Sequence, residues 1–249
     1  MTDDEASYLW GSSLRYLDIS GTLNTTLPTW MLYDCYLLDT LLLPEHLQTI
    51  GYMALSNCVN LREITLPATL VEIGDRAFED CRRLTTVTFN GNNLTRIGDW
   101  AFFQCLQLQN IAIPEGVTEI GDAAFYECDY LNEVSMPSSV LSIGDHAFAN
   151  CTRMTKMTVE AVVPPTVETR TFDEVSRTMP VYVPDASVNT YKADALWGQL
   201  NIIGSSQQGT SLGNIGSTDT SARKIFVDGK LLIVTPNGAY YDATGKRVK

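Results

Sequence analysis

Ile120-Gly121-Asp122-Ala123-Ala124-Phe125-Tyr126-Glu127-Cys128-Asp129-Tyr130-Leu131-Asn132-Glu133-Val134-Ser135-Met136-Pro137 decides the fold, because the chain writes it several times over. Ile73-Gly74-Asp75-Arg76-Ala77-Phe78 leads to Cys81 and Leu84, and Ile97-Gly98-Asp99-Trp100-Ala101-Phe102 leads to Cys105 and Leu108. Ile143-Gly144-Asp145-His146-Ala147-Phe148 leads to Cys151 and Met154. All six cysteines hold one repeat position: Cys35, Cys58, Cys81, Cys105, Cys128 and Cys151 are 23, 23, 24, 23 and 23 residues apart. A fixed period of this size is the mark of a solenoid, in which each repeat buries its apolar side against the next.

Outward from the cysteine, each repeat carries a short strand. Its first residue is Leu14, Leu38, Leu61, Leu84, Leu108, Leu131 or Met154 in turn, and an eighth strand starts at Thr178 with Val181 and Val183 keeping the pattern. Positions 1, 4 and 6 are apolar and point inward, the L-x-x-V-x-L signature of a leucine-rich repeat. Pro44, Pro67, Pro114, Pro137 and Pro184 follow directly and stop the strands, since proline has no N–H for the ladder. A second inward pair such as Leu70 and Ile73 precedes Gly-Asp. The glycine is expected to allow a tight turn of positive φ, and Asp75, Asp99, Asp122 and Asp145 to cap a single helical turn on the convex side. Phe78, Phe102, Phe125, Phe148 and Phe172 then stack down the interior. The expected fold is an α/β solenoid: a right-handed, curved leucine-rich-repeat stack of short parallel strands with a C-terminal cap and a small β-rich tail.

A net charge of −12 argues against nucleic acid or anionic lipid as partner, because both reward Lys and Arg. No run of 18 apolar residues offers a membrane span. The start, Met1-Thr2-Asp3-Asp4-Glu5-Ala6, lacks the basic and apolar regions of a signal peptide, so either the protein is cytoplasmic or this is a mature or truncated form. The cysteines read as buried free thiols: adjacent rungs lie about 4.8 Å apart, wider than the usual ~3.5–4.5 Å between bridged Cβ atoms. Neither C-x2-C pairs nor nearby histidines point to zinc.

The ends depart from the repeat. Tyr8 and Gly11 take the Phe and Cys positions before Leu14, so the chain begins inside a repeat with no polar cap, which reads as a truncated or excised start. Val162-Val163-Pro164-Pro165 breaks the register, and a strand plus an amphipathic helix with Val188, Tyr191 and Trp197 covers the last rung. The expected organisation is therefore a solenoid over residues 1–204 with its cap from about 160, a Ser/Gly/Thr-rich flexible linker over 205–222, and a tail over 223–249. In that tail Lys224–Val234 reads as a hairpin turning at Asp228-Gly229, with a third strand at Tyr240-Tyr241.

The repeat quoted above resembles the BspA-type leucine-rich repeats of surface proteins from anaerobic bacteria and some protozoa, whose pattern is I-G-x-x-A-F-x-x-C-x-x-L-x-x-I-x-L-P. The match is best from Ile73 to Pro137 and covers roughly residues 1–204. The resemblance implies secretion, display at the cell surface and adhesion to host or neighbouring-cell proteins, and it brings no catalytic residues. The tail is similar to short β-rich sorting or anchoring segments.

The Gly-Asp carboxylates would lie in a row, but one per rung is too few for a calcium ion, which wants six or more oxygens. His46 and His146 stand too far apart for a joint site, and neither lies beside a cysteine in the repeat frame, so no nucleophile–base pair is expected. No catalytic residue, metal or cofactor is assigned. Strand positions 3 and 5 face the concave surface and give the candidate protein-binding residues: Tyr16, Thr40, Glu63, Thr65, Thr86, Thr88, Asn110, Glu133, Ser135, Lys156, Thr158 and Tyr182. That long, shallow, hydroxyl-rich face suits an extended protein, such as a host extracellular-matrix or plasma protein, with Tyr16 and Tyr182 as end anchors. The alternatives are a spacer that displays another domain and a glycan-binding module, the latter short of central aromatic platforms.

Overall fold

A computed structural model describes residues 9–208 and three strands at 223–227, 230–234 and 240–242. They fall into two compact units, 1–208 and 209–249.

The first unit is a stack of parallel rungs. One edge of each rung is a long strand: β1 (Tyr16–Asp18), β3 (Thr40–Leu42), β5 (Glu63–Leu66), β7 (Thr86–Phe89), β9 (Asn110–Ala112), β11 (Glu133–Met136), β13 (Lys156–Val159) and β15 (Pro180–Val183). A second edge is a two-residue strand: β2 (Thr26–Leu27), β4 (Thr49–Ile50), β6 (Glu72–Ile73), β8 (Arg96–Ile97), β10 (Glu119–Ile120), β12 (Ser142–Ile143) and β14 (Thr166–Val167). The short strands form one continuous seven-stranded sheet. Register follows the sequence period: Glu63 pairs with Thr86 and Val134 with Met157, while Ile50, Ile73, Ile97, Ile120 and Ile143 form one buried column. The alternation of strand side chains puts Ile64, Ile111 and Val134 into the core at 2 % exposure or less and their neighbours outside.

The third edge of the rung is not helical. From Gly74 to Cys81 the backbone N–H groups alternate between two kinds of partner. Ala77, Glu79 and Cys81 donate to Gly74, Arg76 and Phe78 of their own rung, whereas Arg76, Phe78 and Asp80 donate to Asp99, Ala101 and Phe103 of the next. Inter-rung bonds thus replace the i→i−4 ladder of a helix. Each of the six rungs from residue 28 to residue 150 places a left-handed residue two and six positions after the Gly position. They are Trp30 and Asp34, Met53 and Asn57, Arg76 and Asp80, Trp100 and Gln104, Ala123 and Glu127, and His146 and Asn150. Each of these lies between φ 51° and 61°.

The expected Asp caps are therefore something else. Asp75 Oδ1 accepts the backbone N–H of Asp99 at 3.0 Å, Asp99 Oδ1 that of Asp122 at 3.0 Å, and Asp122 Oδ1 that of Asp145 at 2.8 Å. Each carboxylate bonds the next rung. Gly98, Gly121 and Gly144 are required by this approach and not by a positive φ: a Cβ on Gly98 would stand 2.6 Å from Asp75 Oδ1.

The thiols form the matching interior ladder. All six are free and fully buried. Each donates to the carbonyl 26 or 27 residues back, as in Cys81 to Leu55 (3.2 Å), Cys105 to Phe78 (3.3 Å) and Cys151 to Phe125 (3.1 Å). Beside them Phe78, Phe102, Phe125 and Phe148 stack with centroids 5.0–5.2 Å apart and planes within 7° of parallel.

At the first rung Leu9 and Ser12 occupy the Phe and Cys positions, in place of the expected Tyr8 and Gly11. Cys35 Sγ donates to Leu9 O as later thiols do to the stacked residue, and Ser12 Oγ lies 3.3 Å from Cys35 Sγ. The displacement arises because Ser12 stands only two residues before Leu14, whereas Cys35 stands three before Leu38.

At the other end the helix α1 (Val188–Ala193) sits between β15 and a ninth long strand, β16 (Asn201–Gly204), which lacks the repeat's sequence pattern. Tyr191 and Trp197 are fully buried, with Tyr191 Oη donating to Ala161 O and Trp197 Nε1 to Pro165 O, both at 2.8 Å. Residues 205–207 continue as a 3-10 turn, so the first part of the expected linker belongs to this unit, while 209–222 lie outside the described residues. The second unit is an antiparallel sheet in the order β17 (Arg223–Val227), β18 (Lys230–Val234), β19 (Tyr240–Asp242). Val227 pairs with Lys230, and the expected Asp228-Gly229 turn between them lies outside the described residues.

Candidate binding face

The long strands place their third and fifth residues in two parallel rows. Tyr16 aligns with Thr40, Glu63 with Thr86, and Asn110 with Glu133 and Lys156; Thr65 aligns with Thr88, and Ala112 with Ser135 and Thr158. Tyr16, Glu63, Thr65, Thr86, Thr88 and Asn110 are exposed, and Thr40, Glu133, Ser135, Lys156 and Thr158 half-buried. Most of them are followed directly by a buried core residue, as Glu63 is by Ile64, Thr86 by Val87 and Glu133 by Val134. Short side chains on such a base lose little rotamer freedom when a partner orders them.

Tyr182 departs from the expectation. It is 6 % exposed, flanked by Thr158 on one side and by Ile203 of the unforeseen β16 on the other. Beyond β16 the chain turns back so that Gln208 Nε2 reaches Thr158 Oγ1 at 3.5 Å. Tyr182 is therefore part of the packed end and not an exposed anchor. Tyr16 at the opposite end is 56 % exposed. Its hydroxyl lies 3.4 Å from Asp18, whose carboxyl is held below its ordinary range by hydrogen bonds from the Ser20 hydroxyl and backbone N–H.

The C-terminal half of the face holds a groove of about 270 Å³ lined by Asn110, Glu133, Ser135, Lys156, Thr158 and Gln208. Lys156 Nζ and Glu133 Oε2 form an ion pair at 2.7 Å across neighbouring rungs. The groove therefore offers paired charge, hydroxyls and amides, the groups that match a peptide backbone.

Arg96, on the short-strand face, carries no local sequence signal of its role. It lies 3.0 Å from Asp75, 3.2 Å from Glu119, 3.5 Å from Glu72 and 3.7 Å from Asp99. Burial weighs against its charge, but hydrogen bonds to Asp75 and Glu119 together hold the guanidinium above its ordinary range. The residue before each buried Ile is Thr49, Glu72, Arg96, Glu119 or Ser142, so Arg96 is the cation of an otherwise acidic or neutral column. Asp145 is engaged by Arg170 at 2.6 Å and by His146 Nδ1 at 3.0 Å. Among the described residues no group of three or more His, Cys, Asp or Glu side chains is placed to hold a metal, and no helix is long and apolar enough to cross a membrane.

Rung length, the L-x-x-V-x-L strand and the uninterrupted parallel stack define a leucine-rich-repeat solenoid. Six copies of the BspA type leucine rich repeat region match residues 25–155, more than half of the chain, and the chain belongs to that family. It is similar to the leucine-rich-repeat protein TpLRR of T. pallidum, at 30% identity over 58% of this chain and 72% of that one, with a TM-score of 0.55. A leucine-rich-repeat protein from Bacteroides ovatus aligns at 21% identity over 76% of this chain and 66% of its own, with a TM-score of 0.43. A leucine-rich cell surface protein from Faecalibacterium prausnitzii aligns at 23% identity over 77% and 60%, with a TM-score of 0.42. No match was found among curated proteins. The fold is an interaction scaffold whose specificity resides in its surface side chains.

Proposed function

We propose that this chain is a non-enzymatic binding module, and that an extended segment of a partner protein lies along the long-strand face. The carrying observation is the two-row arrangement itself: exposed Thr65, Thr86 and Thr88 of the β5–β7 pair stand on the rungs next to the five-stranded sheet that carries Asn110 and the groove of Glu133, Ser135, Lys156 and Thr158. Eight strands at about 4.8 Å give a face on the order of 35 Å long, enough for an interface of ~800 Å² per partner. The six thiols are buried and bonded to backbone carbonyls, and His146 is engaged by Asp145, which supports the non-enzymatic reading. Surface display and adhesion to host extracellular-matrix or plasma proteins complete the reading, by likeness to family members.

The test is a pull-down against such proteins with the wild type and a Thr86→Lys/Thr88→Lys variant whose fold is checked by circular dichroism. Loss of capture by the variant supports the strand face. Equal capture by both forms removes it as the site, and no capture by either favours a spacer that displays another domain.

A further inference from the structure

We propose that the short-strand sheet carries a second docking surface, a groove beside Ser142 that takes an arginine side chain from a segment of a partner protein. It lies on the other sheet from the long-strand face, so it does not depend on the reading above. The groove measures about 350 Å³, and its charged lining is Asp99, Glu119, Asp122 and Glu168 against the single cation Arg96. Four carboxylates facing one guanidinium make the groove complementary to a further cation.

A neighbouring rung shows which cation fits. Arg96, Glu119, Ser142 and Thr166 follow one another in a single column of the sheet. The Arg96 guanidinium is held by its column neighbours, Glu72 at 3.5 Å and Glu119 at 3.2 Å. Asp75 of the preceding rung lies 3.0 Å away, and Asp99 of its own rung 3.7 Å. Two rungs on, the same translation places Glu119, Asp122 and Asp145 about Ser142, and the groove lies there. The surroundings of a held guanidinium are repeated around a small hydroxyl. On the far side a second guanidinium is already docked, with Arg170 Nη2 2.6 Å from Asp145 Oδ2. Between Arg96 and Arg170, neither Asp122 nor Glu168 has a cation within ion-pair distance among the described residues.

The geometry favours arginine over lysine. Arg96 directs Nε to Glu119 on the following rung and Nη1 to Asp75 on the preceding one. A planar fork of five N–H donors spans carboxylates on different rungs, whereas an ammonium offers a single nitrogen. The acceptors are also fixed in advance. Asp99 Oδ1 and Asp122 Oδ1 each bond the backbone N–H of the next rung, which holds their carboxylates in place before a partner arrives.

The experiment follows backbone amide shifts of the full chain by NMR during titration with a capped glycine–serine peptide bearing one central arginine. Matched peptides carry lysine or citrulline, the uncharged isostere of arginine, and free arginine is a further arm. The expected result is saturable shifts at Gly121, Asp122 and Gly144 with the arginine peptide, binding of the lysine peptide weaker by about fivefold, and none of the citrulline peptide. Ser142→Arg should fill the groove from within, as Arg96 fills its own position, and abolish the shifts with an unchanged circular dichroism spectrum. Glu168→Gln removes one exposed charge and is the variant to use if that substitution disturbs the rung. It should weaken binding roughly two- to fivefold. No saturable shift with the arginine peptide, equal binding of the lysine or citrulline peptide, binding of free arginine alone, or wild-type affinity in either folded variant would each overturn the proposal.

Discussion

Asp99 Oδ1 accepts the backbone N–H of Asp122 at 3.0 Å. The bond joins two rungs through a side chain that looks, by local sequence, like a helix cap. Asp99→Ala removes a charged acceptor and leaves the Asp122 N–H without it, at a cost of about 1.5–3 kcal/mol. Asp99→Asn retains an oxygen acceptor and should lose less than half as much. Urea midpoints of the two variants against wild type are the measurement. Equal losses would mean that charge at this column, and not the inter-rung bond, is what matters.

Much of the rung was legible because its constraints are periodic. One thiol and one Leu per 23 or 24 residues can only mean columns, and alternation within the strand names the outward rows. The turn edge is hidden in the sequence for a physical reason. Gly-Asp-x-Ala-Phe has a cap residue and good helix formers, and only the neighbouring rung, which takes every second N–H, makes a helix unfavourable. The left-handed positions are equally hidden, since Arg76, Trp100 and Glu127 carry no glycine signal; Asp34, Asn57 and Asn150 hint at them. Burial of Tyr182 depends on β16, whose Asn201-Ile202-Ile203-Gly204 has no repeat signature. The outward rows of the candidate face could be read from alternation alone, but the Glu133–Lys156 pair and the Gln208 lip of the groove depend on tertiary approach.

The thiol column predicts a dependence on alkaline pH. Burial, then the neighbouring Cys81 and Cys128, push the Cys105 thiol well above its ordinary range, and burial does the same to Cys58 and Cys128. In the unfolded chain these groups ionise near ~8.5. Above that pH the unfolded state holds fewer protons than the folded one, so stability falls as pH rises, while below it the contribution is fully present. Unfolding free energy should therefore be flat in this respect from neutral pH to about 8.5 and decline beyond. Replacing Cys58, Cys105 and Cys128 together by Ala should flatten the decline. Thiol reagents should label these positions only after denaturation. Cys105→Asp, which buries a charge with no partner, should prevent folding of the central rungs.

Phe125 lies between Phe102 and Phe148, both at 5.2 Å, with no exposure to solvent. Truncation to Ala should cost about 3–5 kcal/mol. The first three rungs fill the same column with Leu9, Leu32 and Leu55, so the cross-section accepts leucine. Phe125→Leu should accordingly lose less than half of the alanine effect, read from thermal or urea unfolding. A leucine variant as unstable as the alanine one would show that ring stacking, and not volume, holds the column.

Glu174 is exposed at φ 62°, in a region that L-residues other than Asn and Asp occupy at a cost of roughly 1–2 kcal/mol. Glycine relieves that strain but makes the unfolded chain more flexible by about 0.4–1 kcal/mol. The first term is the larger, so Glu174→Gly should raise stability by about 0.5–1 kcal/mol. Thr152 is also exposed but has an ordinary backbone conformation, and Thr152→Gly should gain nothing and lose the flexibility term. Opposite signs for the two variants in urea unfolding are the expected outcome. If both destabilise, the turn edge relaxes Glu174 in solution, and the left-handed geometry at the last regular rung is not maintained.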